Sequence, residues 1–168
     1  MNTSTLLSLL PLFFLFHELE EILMVCPWIK KNSIAMHRRF PKFKSVIRKM
    51  EQMTTPKFAA IATEEFLIVS ACTIVSIQTG NLAAWYCCLT AFGIHLMVHI
   101  AQFIIWRGYI PAIVSTTLCL PYCIWAIHKT ASILPLNEQL FYAAIGTLLG
   151  GLNLIVMHII MHQQPQPR

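Results

Sequence analysis

Apolar residues in this chain come in long runs broken by brief polar punctuation, with little of the strict alternation that marks strands. Five runs approach the roughly 20 mostly apolar residues that a bilayer crossing needs: 5–28, 58–78, 83–106, 110–128 and 139–162. The breaks between them carry turn chemistry. Thr79-Gly80-Asn81 reads as a tight turn, Arg107-Gly108 as another, and 129–138 holds Pro135 and Asn137. The third and fourth runs are nearly continuous in hydropathy, so Arg107-Gly108 alone separates them. The pattern predicts an all-α fold: an integral membrane bundle of five transmembrane helices forming one domain over residues 1–162, followed by a disordered tail, 163–168.

One segment, 29–57, breaks the pattern. There Phe40, Phe43, Val46, Ile47, Met50 and Met53 recur at helical spacing among lysines and arginines. That predicts a basic amphipathic helix on the membrane interface between the first and second spans.

Composition agrees with this frame. The chain is 57% apolar and 11% charged, against about 25% charged for a soluble domain, and its mean hydropathy is +0.64. The net charge of +5 is concentrated, with nine of the twelve Lys and Arg residues between Lys30 and Lys57. Beside apolar spans such a cluster reads as a cytoplasmic loop facing anionic lipid, and no nucleic-acid partner is expected. Alternating the spans from there puts the N-terminus outside, Lys129 outside, and Arg107 and the C-terminus inside. Met1 to Thr5 lacks a basic n-region and no small-residue cleavage site follows, so the first span is expected to be retained. The six cysteines form no CxxC pair, which argues against a zinc ribbon or a disulfide framework and for buried thiols.

The chemistry lies where a bilayer tolerates it least. Five of the seven acids, Glu18, Glu20, Glu21, Glu64 and Glu65, fall inside predicted spans, as do His17, His95, His99 and His158. An ionised group near the bilayer centre costs about 2.5–3.5 kcal/mol or more, so these side chains should face one another, a metal or water. His17, Glu20 and Glu21 share a helix face at i, i+3 and i+4, while Glu18 points elsewhere. Glu64 and Glu65 diverge by about 100°, so only one looks fully inward. His95 and His99 stack one turn apart, and Asn153, Met157 and His158 occupy roughly one face of the last span. Counted from the cytoplasmic end, Glu21, Glu64, His99 and Asn153 lie about six to ten residues in, a common depth of roughly 10–15 Å. One buried site is predicted. Its expected metal ligands are His17, Glu21, Glu64 and His99, with His95 and His158 next, and its expected catalytic groups are Glu20, Glu21, Glu64 and Asn153.

These residues also carry a resemblance. His17-Glu18-Leu19-Glu20-Glu21 resembles the naming motif of the HXXEE family of small bacterial membrane proteins. Ala60-Ile61-Ala62-Thr63-Glu64 resembles the family's AxxxE element, and His95-Leu96-Met97-Val98-His99 its NxxxH element. Arg107-Gly108-Tyr109-Ile110-Pro111 is similar to the basic residue and Tyr-x-Pro segment that follow. Two positions depart: His95 replaces the expected Asn, and Ala112 stands where Gly is expected. The resemblance implies the fold, the place of the site and a bacterial cytoplasmic membrane, and little about the reaction.

Imidazole with carboxylate is a ligand set for zinc, iron or manganese, and the surplus of acids allows one or two ions. The expected function is a metal-dependent membrane enzyme that hydrolyses or oxidises a lipid-like or other hydrophobic substrate, with membrane lipids as surroundings. Two other readings stay open. One is a metal-free acid–base isomerase, similar in outline to emopamil-binding-type sterol isomerases. The other is a transporter of protons or divalent metals, which would need polar groups through the full membrane thickness.

Overall fold

The computed structural model describes residues 2–163, except for the side chain of His162; the predicted tail beyond Gln163 lies outside the described residues. Six α-helices and no strand are found there: α1 (Thr3–Arg39), α2 (Lys44–Gln52), α3 (Thr55–Thr79), α4 (Ala83–Trp106), α5 (Ile113–Thr130) and α6 (Leu136–Gln163). A single 3₁₀ turn, Pro41–Phe43, joins α1 to α2.

Three helices, α3, α4 and α6, are long and apolar enough to cross a membrane. By length and composition the predicted count of five is therefore three. In α1, His17, Glu18, Glu20 and Glu21 dilute the apolar run at its middle. α5 is only 18 residues long and ends on His128 and Lys129. A second difference concerns the predicted loop at 29–57. Its first part continues α1 without a break, so that helix has 37 residues and a length of about 55 Å. The amphipathic helix begins later, as α2, with Ile47 buried and Val46 and Met50 exposed, next to the exposed Phe43 of the preceding turn.

α2 folds back on the end of α1. The Ser33 hydroxyl donates to the Glu51 carboxylate, and His37 Nε2 lies 3.0 Å from the same oxygen. The Ser33 hydrogen bond, helped by His37, holds the Glu51 carboxyl below its ordinary value. Arg39 reaches the other way. Its guanidinium donates to the carbonyls of Ile105, at 2.6 Å, and Trp106, and lies over the Trp106 ring. A cation thereby satisfies the last carbonyls of α4.

The apolar core sits at the opposite end, among Leu6, Leu7, Leu10, Trp85, Leu89, Cys119, Tyr122 and Cys123. Pro11, inside α1, has no N–H to give to the carbonyl of Leu7. The indole N–H of Trp85 fills that gap at 3.1 Å. α4 and α6 approach most closely through Gly146 and Gly150. A Cβ on Gly146 would stand 2.2 Å from the Cys87 carbonyl oxygen, and one on Gly150 would stand 3.2 Å from Ala91 Cβ. This is the small-xxx-small spacing of close helix pairs. All six cysteines are free, with Cys26, Cys119 and Cys123 buried and the others half-buried.

The sharpest local feature precedes α5. Ala112, where the family pattern calls for glycine, has φ +68°. That left-handed conformation costs an L-residue roughly 1–2 kcal/mol. It is held because Thr116 N–H and the Ser115 hydroxyl both donate to the Ala112 carbonyl.

Candidate metal centre

Two helices supply the centre. On α1, His17 and Glu21 stand one turn apart on the inward face and are buried. On α4, His95 and His99 do the same, His99 buried and His95 half-buried. The His99 Nε2 atom lies 3.0 Å from Glu21 Oε1 and 3.0 Å from His95 Nε2. Glu21 Oε2 is 3.9 Å from His95 Nε2. The rings of His17 and His99 are 5.0 Å apart, and those of His17 and His95 5.2 Å. One ligand atom from each of the four residues fits within 4.8 Å of all the others.

Proton accounting makes this arrangement unusual for plain hydrogen bonding. One N–H on His99 Nε2 cannot serve both Glu21 and His95 well. His17 Nε2 is buried with no hydrogen-bond partner, and so is His99 Nδ1. The unpartnered His17 Nε2 and the shared His99 Nε2 are acceptors that a cation would serve, while His99 Nδ1 stays without a partner in either case.

Ser115, near the start of α5, orients the centre from behind. Its hydroxyl lies 3.2 Å from the Ala112 carbonyl and 3.1 Å from His17 Nδ1. The assignment that satisfies both has the hydroxyl donating to Ala112 and accepting from His17 Nδ1–H. His17 Nε2 is then the unprotonated nitrogen that faces Glu21, His95 and His99. Metal-ligating histidines commonly gain their tautomer in this way.

Glu20, expected among the catalytic groups, holds donors from the start of α5 and from Tyr109. It accepts from the backbone N–H of Ser115 at 2.7 Å and from the Tyr109 hydroxyl at 3.2 Å. A carboxylate therefore sits on the free N–H groups of the first turn of α5. The choice between Glu20 and Glu21 falls to Glu21: Glu21 faces the imidazoles, and Glu20 anchors the helix that carries Ser115.

Glu64 and His158, expected as ligands, stand apart from the four-residue group. Glu64 Oε2 accepts from Asn153 Nδ2 at 3.0 Å, tying α3 to α6. His158 Nδ1 bonds the Leu154 carbonyl of its own helix at 2.9 Å. The rotation of α3 brings Glu65, rather than Glu64, to the lining of an open cavity of about 810 Å³ between α1, α3, α4 and α6. Glu18 lines it too, although spacing pointed that side chain away from the site. His95 and Asn153 complete the polar end, and the remaining lining is almost wholly apolar. His95 is thus the wall shared by the four-residue centre and the cavity. Of the groups that sequence spacing missed, Tyr109 had a signal in the Tyr-x-Pro element. Ser115 had none, because its role comes from α5 crossing α1.

The model for proteins of unknown function with an HXXEE motif matches residues 8–126. That stretch holds all four residues of the centre, Ser115 and Tyr109, and stops before α6. No curated protein and no solved structure matches the chain. With well over half its length matched, the chain belongs to the HXXEE-motif family.

Proposed function

We propose that this protein is an integral membrane enzyme in which His17, Glu21, His95 and His99 hold one divalent metal ion beside a cavity for a hydrophobic substrate. The observation that carries this reading is the convergence of four donor atoms within 4.8 Å at the polar end of an apolar cavity. Three imidazoles and a carboxylate suit zinc, iron or manganese. Such an ion supplies an activated water for hydrolysis or a site for oxygen chemistry. The chain's own part is to fix the ligands, keep His17 Nε2 deprotonated through Ser115, and present the substrate along His95.

Membrane embedding of the whole bundle is part of the proposal. The outward side of α1 presents Leu12, Phe16, Leu19 and Leu23, and that of α5 presents Val114, Leu118 and Ile124. Polar residues near their middles, among them His17, Glu18, Glu21, Ser115 and Thr116, are buried. Both helices therefore suit lipid outside despite their diluted composition. The basic stretch with α2 then lies on the cytoplasmic surface of a bacterial inner membrane, with the N-terminus outside and the C-terminus inside.

Metal analysis of detergent-purified protein from metal-replete, chelator-free cells tests the centre. One equivalent is expected in the parent, in Glu64→Ala and in His158→Ala, and well under half an equivalent in His17→Ala and His99→Ala. A metal-free parent sinks the reading. In that event the acid–base isomerase gains, because Glu18 and Glu65 already line the cavity as candidate proton donors and acceptors. Transport is the weaker alternative, since ionisable groups gather at one end of the cavity and its other end is apolar.

A further inference from the structure

Glu18 is the most demanding residue in the cavity. It is 3% exposed and borders the empty space. No hydrogen-bond donor or ion-pair cation is found for it among the described residues. An ionised carboxyl buried without a partner is strongly unfavourable, so Glu18 is either held protonated or met by a donor from outside the chain. Glu65 lines the same end, and the lining contains no Lys or Arg. Asn153, also there, commits an amide N–H to Glu64. The polar end therefore offers carboxyl oxygens, and no Lys or Arg side chain lines it to pair with an anion.

The rest of the cavity has a shape as well as a polarity. Along α4 its lining extends from Val98 past His95 to Ala84, and the eleven residues from His95 to Ala84 span about 16 Å. An extended carbon chain advances about 1.3 Å per bond at tetrahedral angles, so roughly a dozen carbons span it. Val69, Cys72, Cys87 and Cys88 line this stretch. The volume falls within the roughly 300–1,000 Å³ of small-molecule sites.

Building on the reading of a membrane enzyme with a hydrophobic substrate, we propose that the cavity binds a single-chain amphiphile whose head is an amine. The ammonium group sits between Glu18 and Glu65 against His95, and the tail lies along α4 toward Ala84. Phosphate-bearing lipids are rejected by the two carboxyls, and an uncharged alcohol gains only part of the interaction.

The cavity's own cysteines provide the readout. Full-length protein in a non-ionic detergent is titrated with dodecylamine, dodecanol or dodecyl phosphate, and maleimide labelling of Cys72, Cys87 and Cys88 is followed by mass spectrometry. Cys26, outside the lining, is the internal control. Dodecylamine is expected to slow labelling of the cavity thiols at least tenfold without changing Cys26. In Glu18→Gln, half-protection should need at least tenfold more amine. Gly151→Leu tests the tail: a Cβ there meets nothing within 4 Å, so the side chain enters open space and should weaken protection by a similar factor. Equal or better protection by dodecanol or dodecyl phosphate overturns the assignment, as does no protection by any of the three. Metal content is measured on the same samples. A metal-loaded protein that ignores the amine overturns the head-group assignment alone, and a metal-free protein that binds it overturns the metal reading alone.

Discussion

Replacing Ser115 with alanine removes one buried oxygen from behind His17 and leaves the backbone hydrogen bond from Ser115 N–H to Glu20 intact. His17 Nδ1–H then loses its acceptor, which lay at 3.1 Å. With that preference gone, the ring populates the tautomer that protonates Nε2, the nitrogen turned toward Glu21, His95 and His99. Loss of such an outer partner typically lowers metal affinity about 10–100-fold, or about 1.4–2.7 kcal/mol. A separate cost falls on folding, about 1–3 kcal/mol for a buried donor left unpaired. Chelator competition with zinc on the folded fraction reads the first effect, and thermal unfolding of the metal-free protein reads the second. Ser115→Thr keeps the hydroxyl and should recover the affinity even where its extra methyl, at a site 1% exposed, lowers stability. Zinc affinity of Ser115→Ala within about twofold of the parent would refute the tautomer assignment. So would a Thr variant as weak as the Ala variant.

Other expectations follow from backbone and charge. Ala112→Gly should stabilise the protein by about 0.5–1 kcal/mol, the relief of a left-handed alanine less the added freedom of the unfolded chain; denaturant midpoints in detergent check the sign, and a loss of stability contradicts it. Gly146→Leu drives a side chain into the Cys87 carbonyl and should cost at least the upper end of about 1–3 kcal/mol, read by thermal unfolding; a parent-like midpoint would mean that α4 and α6 do not cross there. The lowered carboxyl of Glu51 makes docking of α2 pH-dependent. Its contribution is full above the ordinary value of 4.5 and is lost as pH falls through the lower folded value. Hydrogen exchange in residues 44–52 should rise across that acid window in the parent, and Glu51→Gln should remove the pH dependence.

Much of this protein was legible in one dimension. Long apolar runs have few ways to satisfy their backbone except as helices, so the ends of α4 fall where its run ends, at Ala83 and Trp106. The i, i+4 pairs His17–Glu21 and His95–His99 were readable as shared faces because helix geometry fixes such pairs locally.

Relations between helices were not readable. Whether Glu20 or Glu21 met the imidazoles, and whether Glu64 or Glu65 met the cavity, turned on helix rotations that packing sets. Glu20 was claimed by the N–H of Ser115, ninety-five residues away, and Glu64 by Asn153, eighty-nine residues away. The extension of α1 to Arg39 was hidden as well, because a charged helical extension and a charged loop have the same composition. Residue order fixed which side chains lie on which face of each helix, since that periodicity is a property of the backbone. Only the packed bundle decided which faces meet, since that depends on close approaches such as Gly146 on Cys87 and on buried polar groups finding partners far along the chain.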